Sequence, residues 1–325
     1  MTIRVAVIYG GRSGEHDVSL RSAEAVIRAL DPSRYEVRRI FIDRAGRWEP
    51  GPLVPEPGAN PGIDVVFPVL HGTFGEDGTV QGLLELADLP YVGAGVLGSA
   101  ACMDKELAKR LCRERGIEVV ESVTLRRGAL DVAAVEARLG YPVFVKPANL
   151  GSSVGISRAA DRRELEEALA LAASYDRKVV VERAIVGREL ECSVLGNDEP
   201  SASVPCEVLP SRAFYDYDDK YLLDAAKFEL PAKLSADTTE RLRRIAVEAY
   251  RALECTGMAR VDFLLEGATG RLFVNELNTI PGFTSISMYP KMWEHSGLPF
   301  PALVERLIAL ALERHAEKRA TRYER

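Results

Sequence analysis

Apolar residues in the first third of the chain alternate between two spacings. Ile3 to Tyr9 is a near-continuous β-rich run ending in Gly10-Gly11, Val18 to Leu30 has helical spacing, and Tyr35 to Ile42 and Asp64 to Leu70 read as further strands. Alternating strand and helix signals predict a parallel, doubly wound α/β sheet with a ligand crevice at the carboxyl ends of its strands. Pro50 to Pro61, rich in Pro and Gly, reads as a surface loop between two strands.

The spacing then changes character. A helix over Ser99 to Arg115 is followed by strands at Glu118 to Leu125, Tyr141 to Pro147 and Lys178 to Arg183, with Asp161 capping a helix that runs to about Tyr175. This resembles an α+β unit. Strands at Glu189 to Leu195 and Ser203 to Leu209 come next, then a polar, Tyr-rich loop from Ser211 to Tyr221, a helix from about Asp237 to Leu253, a hairpin and a C-terminal helix. Divisions near residues 95 and 185 give expected domains at 1–95, 96–185 and 186–325.

Composition narrows the function classes. With 325 residues, 47% of them apolar, the chain can build more than one core. A net charge of -6 and the lack of any long Lys/Arg cluster argue against nucleic acid as a partner. The N-terminal apolar run is too short for a leader and no stretch is long enough for a membrane span, so the expectation is a cytoplasmic protein without a membrane partner. The cysteines (Cys102, Cys112, Cys192, Cys206, Cys255) are odd in number and show no C-x-x-C spacing, which predicts free, buried thiols. Without an H-x-x-x-H pair there is no zinc signature, so carboxylates must hold any metal.

The hairpin supplies such carboxylates. Gly257 to Gly267 and Arg271 to Asn278 are strand-like runs separated by Ala268-Thr269-Gly270, a three-residue loop whose Gly suits the left-handed position. If Gly267 opposes Arg271, Asp262 opposes Glu276 and Arg260 opposes Asn278, and the strand period of two puts these four on one face. Val261, Phe263, Leu265, Phe273 and Leu277 are expected on the other. Two carboxylates directly across a ladder repel and call for a cation, and magnesium completed by substrate phosphates fits hard oxygen donors of this kind. A solvated polar face is the alternative, and this segment alone does not separate the two.

Two Gly-rich segments add to the picture. Val145 to Gly155 places Lys146 on a strand ahead of the turn Gly151-Ser152-Ser153-Val154-Gly155, whose backbone N–H groups could clamp phosphate; neither a Walker A loop nor G-x-G-x-x-G after the first strand is present. His71-Gly72-Thr73-Phe74-Gly75-Glu76-Asp77-Gly78 follows an apolar strand. There His71 is expected to face ligand, with Glu76 and Asp77 capping a loop that runs into a helix at Thr79.

Taken together, His71-Gly72 with Gly75-Glu76-Asp77-Gly78, Met103-Asp104-Lys105, Lys146 with Gly151 to Gly155, Phe214-Tyr215-Asp216-Tyr217 with Lys220-Tyr221, Arg260-Val261-Asp262, and Asn275-Glu276-Leu277-Asn278-Thr279 with Pro281-Gly282 resemble the D-alanine--D-alanine ligase family of ATP-grasp enzymes over nearly the whole chain. The resemblance implies a three-domain ATP-grasp fold with ATP between the central and C-terminal domains. Lys105 and Lys146 would contact the nucleotide phosphates beneath a loop at Ser152 and Ser153, and Lys220 would also bind ATP. Glu182 and Glu189 would address adenine and ribose, with Asn275 and Glu276 also on the nucleotide side. Asp262, Glu276 and Asn278 would hold magnesium or manganese, commonly two ions with Glu276 bridging. Glu15 would pair with the first D-alanine's ammonium and His71 would lie near its carboxylate, while Ser287 and the Met288 backbone would receive the second carboxylate.

The chemistry so implied is attack of the first D-alanine carboxylate on the γ-phosphate, followed by attack of the second amine on the resulting acyl phosphate. Arg260 and the Gly282 N–H would stabilise the oxyanion. A lid at residues 211–221 would exclude water, with Tyr221 bonding Ser152 and Glu15. Tyr221 favours the dipeptide over the D-alanine--D-lactate product, since related depsipeptide ligases often carry Phe there. A homodimer and a place in peptidoglycan precursor synthesis are also implied.

Overall fold

The computed structural model describes residues 2–151, 154–209 and 227–323. Its elements in chain order begin with β1 (Ile3–Gly10), α1 (His16–Ala29), β2 (Tyr35–Ile42), β3 (Trp48–Glu49), β4 (Val65–Val69) and α2 (Thr79–Leu86). The strands form one sheet in the order β3-β2-β1-β4. The pairs β1/β2 and β1/β4 are parallel as expected, and only the short edge strand β3 runs antiparallel.

Next come α3 (Val96–Met103), α4 (Lys105–Glu114), β5 (Ser122–Arg126), α5 (Val132–Leu139), β6 (Val143–Pro147), β7 (Ser157–Ala159), α6 (Arg162–Tyr175) and β8 (Lys178–Arg183). The single helix expected over Ser99 to Arg115 is two. Asp104, in extended backbone, ends α3 and caps α4 by accepting from Leu107 N at 3.0 Å, so the helix breaks between Met103 and Lys105. The cap at Asp161 is as expected, accepting from Glu164 N at 2.9 Å. Strands β5-β8-β6-β7 make an antiparallel sheet whose core is Val143, Val145, Val179 and Val181 against α6.

The remainder is β9 (Gly187–Gly196), β10 (Ser201–Ala202), β11 (Cys206–Leu209), β12 (Lys227–Glu229), α7 (Ala236–Ala252), β13 (Gly257–Glu266), β14 (Leu272–Asn278), α8 (Met288–His295) and α9 (Phe300–Arg319). Its sheet runs β12-β11-β9-β13-β14, with β10 on β9.

Packing crosses the linear order at two places. α3 and α4 bury Ala101, Ala108 and Cys112 in the core of the third sheet, with α7, and not in that of the second. α9 returns to the first sheet, where Leu303, Val304, Leu307 and Ile308 join Val5, Val7, Val65 and Phe67 in one core. α9 thereby ties the first sheet to the C-terminal part of the chain. All five cysteines are free and buried. Among the described residues no helix is long and apolar enough to cross a membrane.

Candidate active site

The hairpin pairs Arg260 with Asn278 and Asp262 with Glu276, as its sequence predicts, although by a different route. The turn is one residue longer than expected, since Glu266 N donates to Arg271 O, and Gly270 takes the left-handed conformation at φ 67°. A bulge between Asp262 and Phe263 then restores the register, because Phe263 opposes Val274 and Asn275 becomes the extra residue. The bulge corrects one expectation. Leu272 and Val274 enter the core, and Phe273 lies on the opposite face, its ring 4.8 Å from the Arg271 guanidinium. It also lets Asn275 and Glu276, though consecutive, both meet lysines.

Arg260 grips Asp262 with two hydrogen bonds, Nε to Oδ1 at 2.7 Å and Nη2 to Oδ2 at 2.6 Å. Its Nε is also 3.4 Å from Glu191 on β9. Burial works against the guanidinium charge, but Asp262 and Glu191 outweigh it and keep the Arg260 pKa well above its usual value. Glu191 was not singled out from the sequence. Its signal was the period-two series Glu189, Glu191, Ser193 on β9, and register places Glu191 beside Asp262, so three carboxylates stand side by side across β9, β13 and β14.

Lysines on α4 and β6 approach Glu276 and its neighbour Asn275. Lys105, placed by the break at Asp104, donates to Leu150 O at 2.8 Å and lies 3.4 Å from Glu276 Oε2. Lys146 on β6 donates to Asn275 Oδ1 at 3.2 Å and pairs with Glu182 Oε2 at 2.8 Å. Burial would lower the Lys146 pKa, but Glu182 and Glu276 raise it overall. Lys109, also missed, lies 2.9 Å from Glu182 Oε1. Burial would push the Glu182 carboxyl up; Lys109 and Lys146 reverse this and hold it at about 2. Glu189 is half-buried and contributes to the raised Lys146 pKa.

The far end of the cleft is built by the loop after β4. His71 donates from Nδ1 to Ile280 O at 2.8 Å, and its Nε2 accepts from Ser22 Oγ at 3.2 Å. Burial lowers its pKa, so the ring is neutral and both nitrogens are engaged within the protein. His71 thus ties the first sheet's loop to the chain after β14. Asp77 caps as expected, accepting from Phe74 N and Thr79 N. Glu76 caps the same loop and also faces the cleft. Its Oε1 accepts from Gly72 N at 3.0 Å, it lines the cleft, and burial together with Glu15, and less so Glu276, pushes its pKa up to about 8. A Cβ on Gly72 would stand 2.7 Å from Glu15 Oε2, so glycine is what lets that carboxylate sit against the loop.

Ser287 lies at the N-cap of α8, and its Oγ accepts from Thr284 N at 3.0 Å. A Cβ on Gly282 would come within 2.6 Å of that oxygen. The orphan N–H groups of the first turn of α8 begin at Met288, a favourable place for a carboxylate.

A cleft of about 630 Å³ brings together Glu15, His71, Lys105, Arg260, Glu276, Asn278, Gly282, Ser287 and Met288. Lys146, Glu182, Glu189, Asp262 and Asn275 stand outside its lining; Lys146 and Asn275 connect to it through Glu276 and Lys105. Ser152, Ser153, Lys220, Tyr221 and the lid expected at 211–221 lie outside the described residues. Among the described residues no three Asp, Glu, His or Cys side chains are grouped as a ready metal cage. The donor set nonetheless fits a hard cation completed by phosphate oxygens: Asp262 faces Glu276 across the ladder, and Asn278, its Oδ1 oriented by Ile280 N at 3.0 Å, follows on the same face.

Known proteins similar to this chain are ligases. The family model described as D-ala D-ala ligase C-terminus matches residues 111–309, and D-ala D-ala ligase N-terminus matches residues 4–61 and 53–94. The chain is 65% identical to the D-alanine--D-alanine ligase of Solibacter usitatus (strain Ellin6076), covering 100% of both. It is 44% identical to D-alanine--D-alanine ligase A of Escherichia coli (strain K12), covering 98% of both. Among solved structures, the D-alanine-D-alanine ligase from Coxiella burnetii superposes with a TM-score of 0.87 at 39% identity, covering 98% of this chain and 96% of that one. The VanG D-Ala:D-Ser ligase from Enterococcus faecalis gives 0.86 at 38%, covering 96% and 100%.

Proposed function

The chain belongs to the D-alanine--D-alanine ligase family, and from that premise we propose that it joins two D-alanine molecules with conversion of ATP to ADP and phosphate. The observation that carries the reading is the cleft itself. One continuous space has a carboxylate for an ammonium at Glu15, a cationic edge at Lys105 and Arg260, and the N-terminus of α8 for a carboxylate.

In this reading Glu15 holds the ammonium of the first D-alanine and orients its carboxylate toward the phosphate side, where Lys105 and Lys146 offset the repulsion between carboxylate and polyphosphate. The γ-phosphoryl passes to a carboxylate oxygen, which supplies the leaving group that a bare carboxylate lacks. Ser287 and the Met288 N–H hold the second D-alanine by its carboxylate, leaving its amine free to attack the acyl carbon. The Arg260 edge turned away from Asp262 and the Gly282 N–H receive the oxyanion. Asp262 fixes the guanidinium, so the bidentate pair is a positioning device. His71, with both nitrogens engaged, acts by shaping the first subsite and not as a proton donor.

Asp262, Glu276 and Asn278 would hold magnesium or manganese, which supplies charge neutralisation on the phosphates. The lid at 211–221 and the Ser152 to Tyr221 bond remain part of the reading, as do a homodimer, a cytoplasmic location and a role in peptidoglycan precursor synthesis. Incubation with ATP, magnesium and D-alanine alone, followed by product mass, tests the reaction. D-alanyl-D-alanine with ADP and phosphate in equal amounts supports it. Product only when D-lactate or D-serine is added would reassign the second substrate, and no ADP under any of these conditions would overturn the ligase reading.

A further inference from the structure

Lys109 is a buried ammonium that the reaction above does not use. It follows Lys105 by one helical turn on α4, and its side chain is only 2% exposed. Its Nζ lies 2.9 Å from Glu182 Oε1, while Lys146 Nζ lies 2.8 Å from the other oxygen. Glu182 is thus shared between two lysines, one at each oxygen, and the trio has one positive charge in excess. Lys146 alone of the two lysines reaches onward, to Asn275 at 3.2 Å.

We infer that Lys109 is a positioning residue for nucleotide binding: by neutralising Glu182 from behind, it leaves the Lys146 ammonium with charge to offer the ATP phosphates. The inference rests on the placement of those phosphates at Lys146 in the proposed reaction. Were Lys109 uncharged, Lys146 would be the only lysine on a buried carboxylate, and a closed ion pair attracts a third charge weakly. Lys109 is too enclosed to meet a polyphosphate itself, so its effect must pass through Glu182.

The preference for ADP over adenosine isolates the phosphate contribution and is measured by titration calorimetry on the full chain with magnesium. Lys109→Met should lower that preference by about tenfold or more. Lys109→Gln, which leaves a polar amide near Glu182 without the charge, should do the same and serves where the methionine variant folds poorly. In a Glu182→Gln background, Lys109→Met should cause no further fall, because the path through Glu182 is already cut. Equal losses for ADP and adenosine would reduce Lys109 to packing and overturn the inference. So would full preference in Lys109→Gln, or an undiminished loss in the Glu182→Gln background. Lys146→Met separates the two layers: an unchanged preference there would sink the phosphate placement itself, whereas a loss there without one in the Lys109 variants would sink only this inference.

Discussion

Glu182 and Glu76 are enclosed almost equally, at 3% and 8% exposed, yet the first carboxyl is held at about 2 and the second is pushed up to about 8. Burial raises both. Company decides the sign: Glu182 sits between Lys109 and Lys146, whereas Glu76 faces Glu15 and, more weakly, Glu276. The contrast separates the two ends of the site. The end proposed for the nucleotide keeps an anion between two lysines, a trio with one positive charge in excess. The end proposed for the amino acid keeps a neutral acid beside a carboxylate, an arrangement that an ammonium placed there would relieve.

The largest effect is expected where the anion between the lysines is removed. Glu182→Gln strands two buried lysines and should cost roughly 3–5 kcal/mol at neutral pH. The Glu182 pKa is lowered on folding, so this stability is fully present above the ordinary carboxyl value near 4.5 and fades as pH falls toward 2. Urea midpoints of the two proteins at pH 7 and pH 3 check it, and a gap of the same size at both would break the contrast.

Arg260→Ala comes next, with kcat lower by about a hundredfold or more and nucleotide affinity changed little. An unaltered kcat would remove Arg260 from the oxyanion. Asp262→Asn should raise the magnesium concentration for half-maximal rate by about tenfold while loosening Arg260. Superimposable magnesium titrations of the two proteins would count against the hairpin face as the metal face.

Glu76→Gln should change stability with the opposite sign, and little at mildly acidic pH. Its pKa is raised on folding, so the unfolded chain gains from ionising between about 4.5 and 8 and the penalty is complete above that range. The amide keeps the bond from Gly72 N and should stabilise the protein by roughly 1–2 kcal/mol by pH 6 and more as pH rises toward 8, with no gain below pH 4. A gain independent of pH would show that ionisation is not the cause.

Period and spacing made the hairpin face and the first sheet legible. The pairing of Asp262 with Glu276 was deduced from a shorter turn and an unbroken ladder, and it holds because a longer turn and a bulge offset each other. Phe273 shows where that cancellation fails: on the turn side of the bulge the faces are exchanged. Asp104 reads as an ordinary helical residue until its side chain is seen capping α4, and only that break brings Lys105 to Glu276. Lys109 and Glu191 carried weak local signals because their partners, Glu182 and Arg260, lie on strands distant in sequence. The saturation of His71 depends on Ile280 O, a backbone atom that no motif reveals.

The path of one oxygen tests the central claim most directly. With D-alanine carrying ¹⁸O in its carboxylate, transfer through an acyl phosphate predicts one ¹⁸O in each phosphate released alongside the dipeptide, because amine attack breaks the acyl carbon–oxygen bond. Unlabelled phosphate would contradict it.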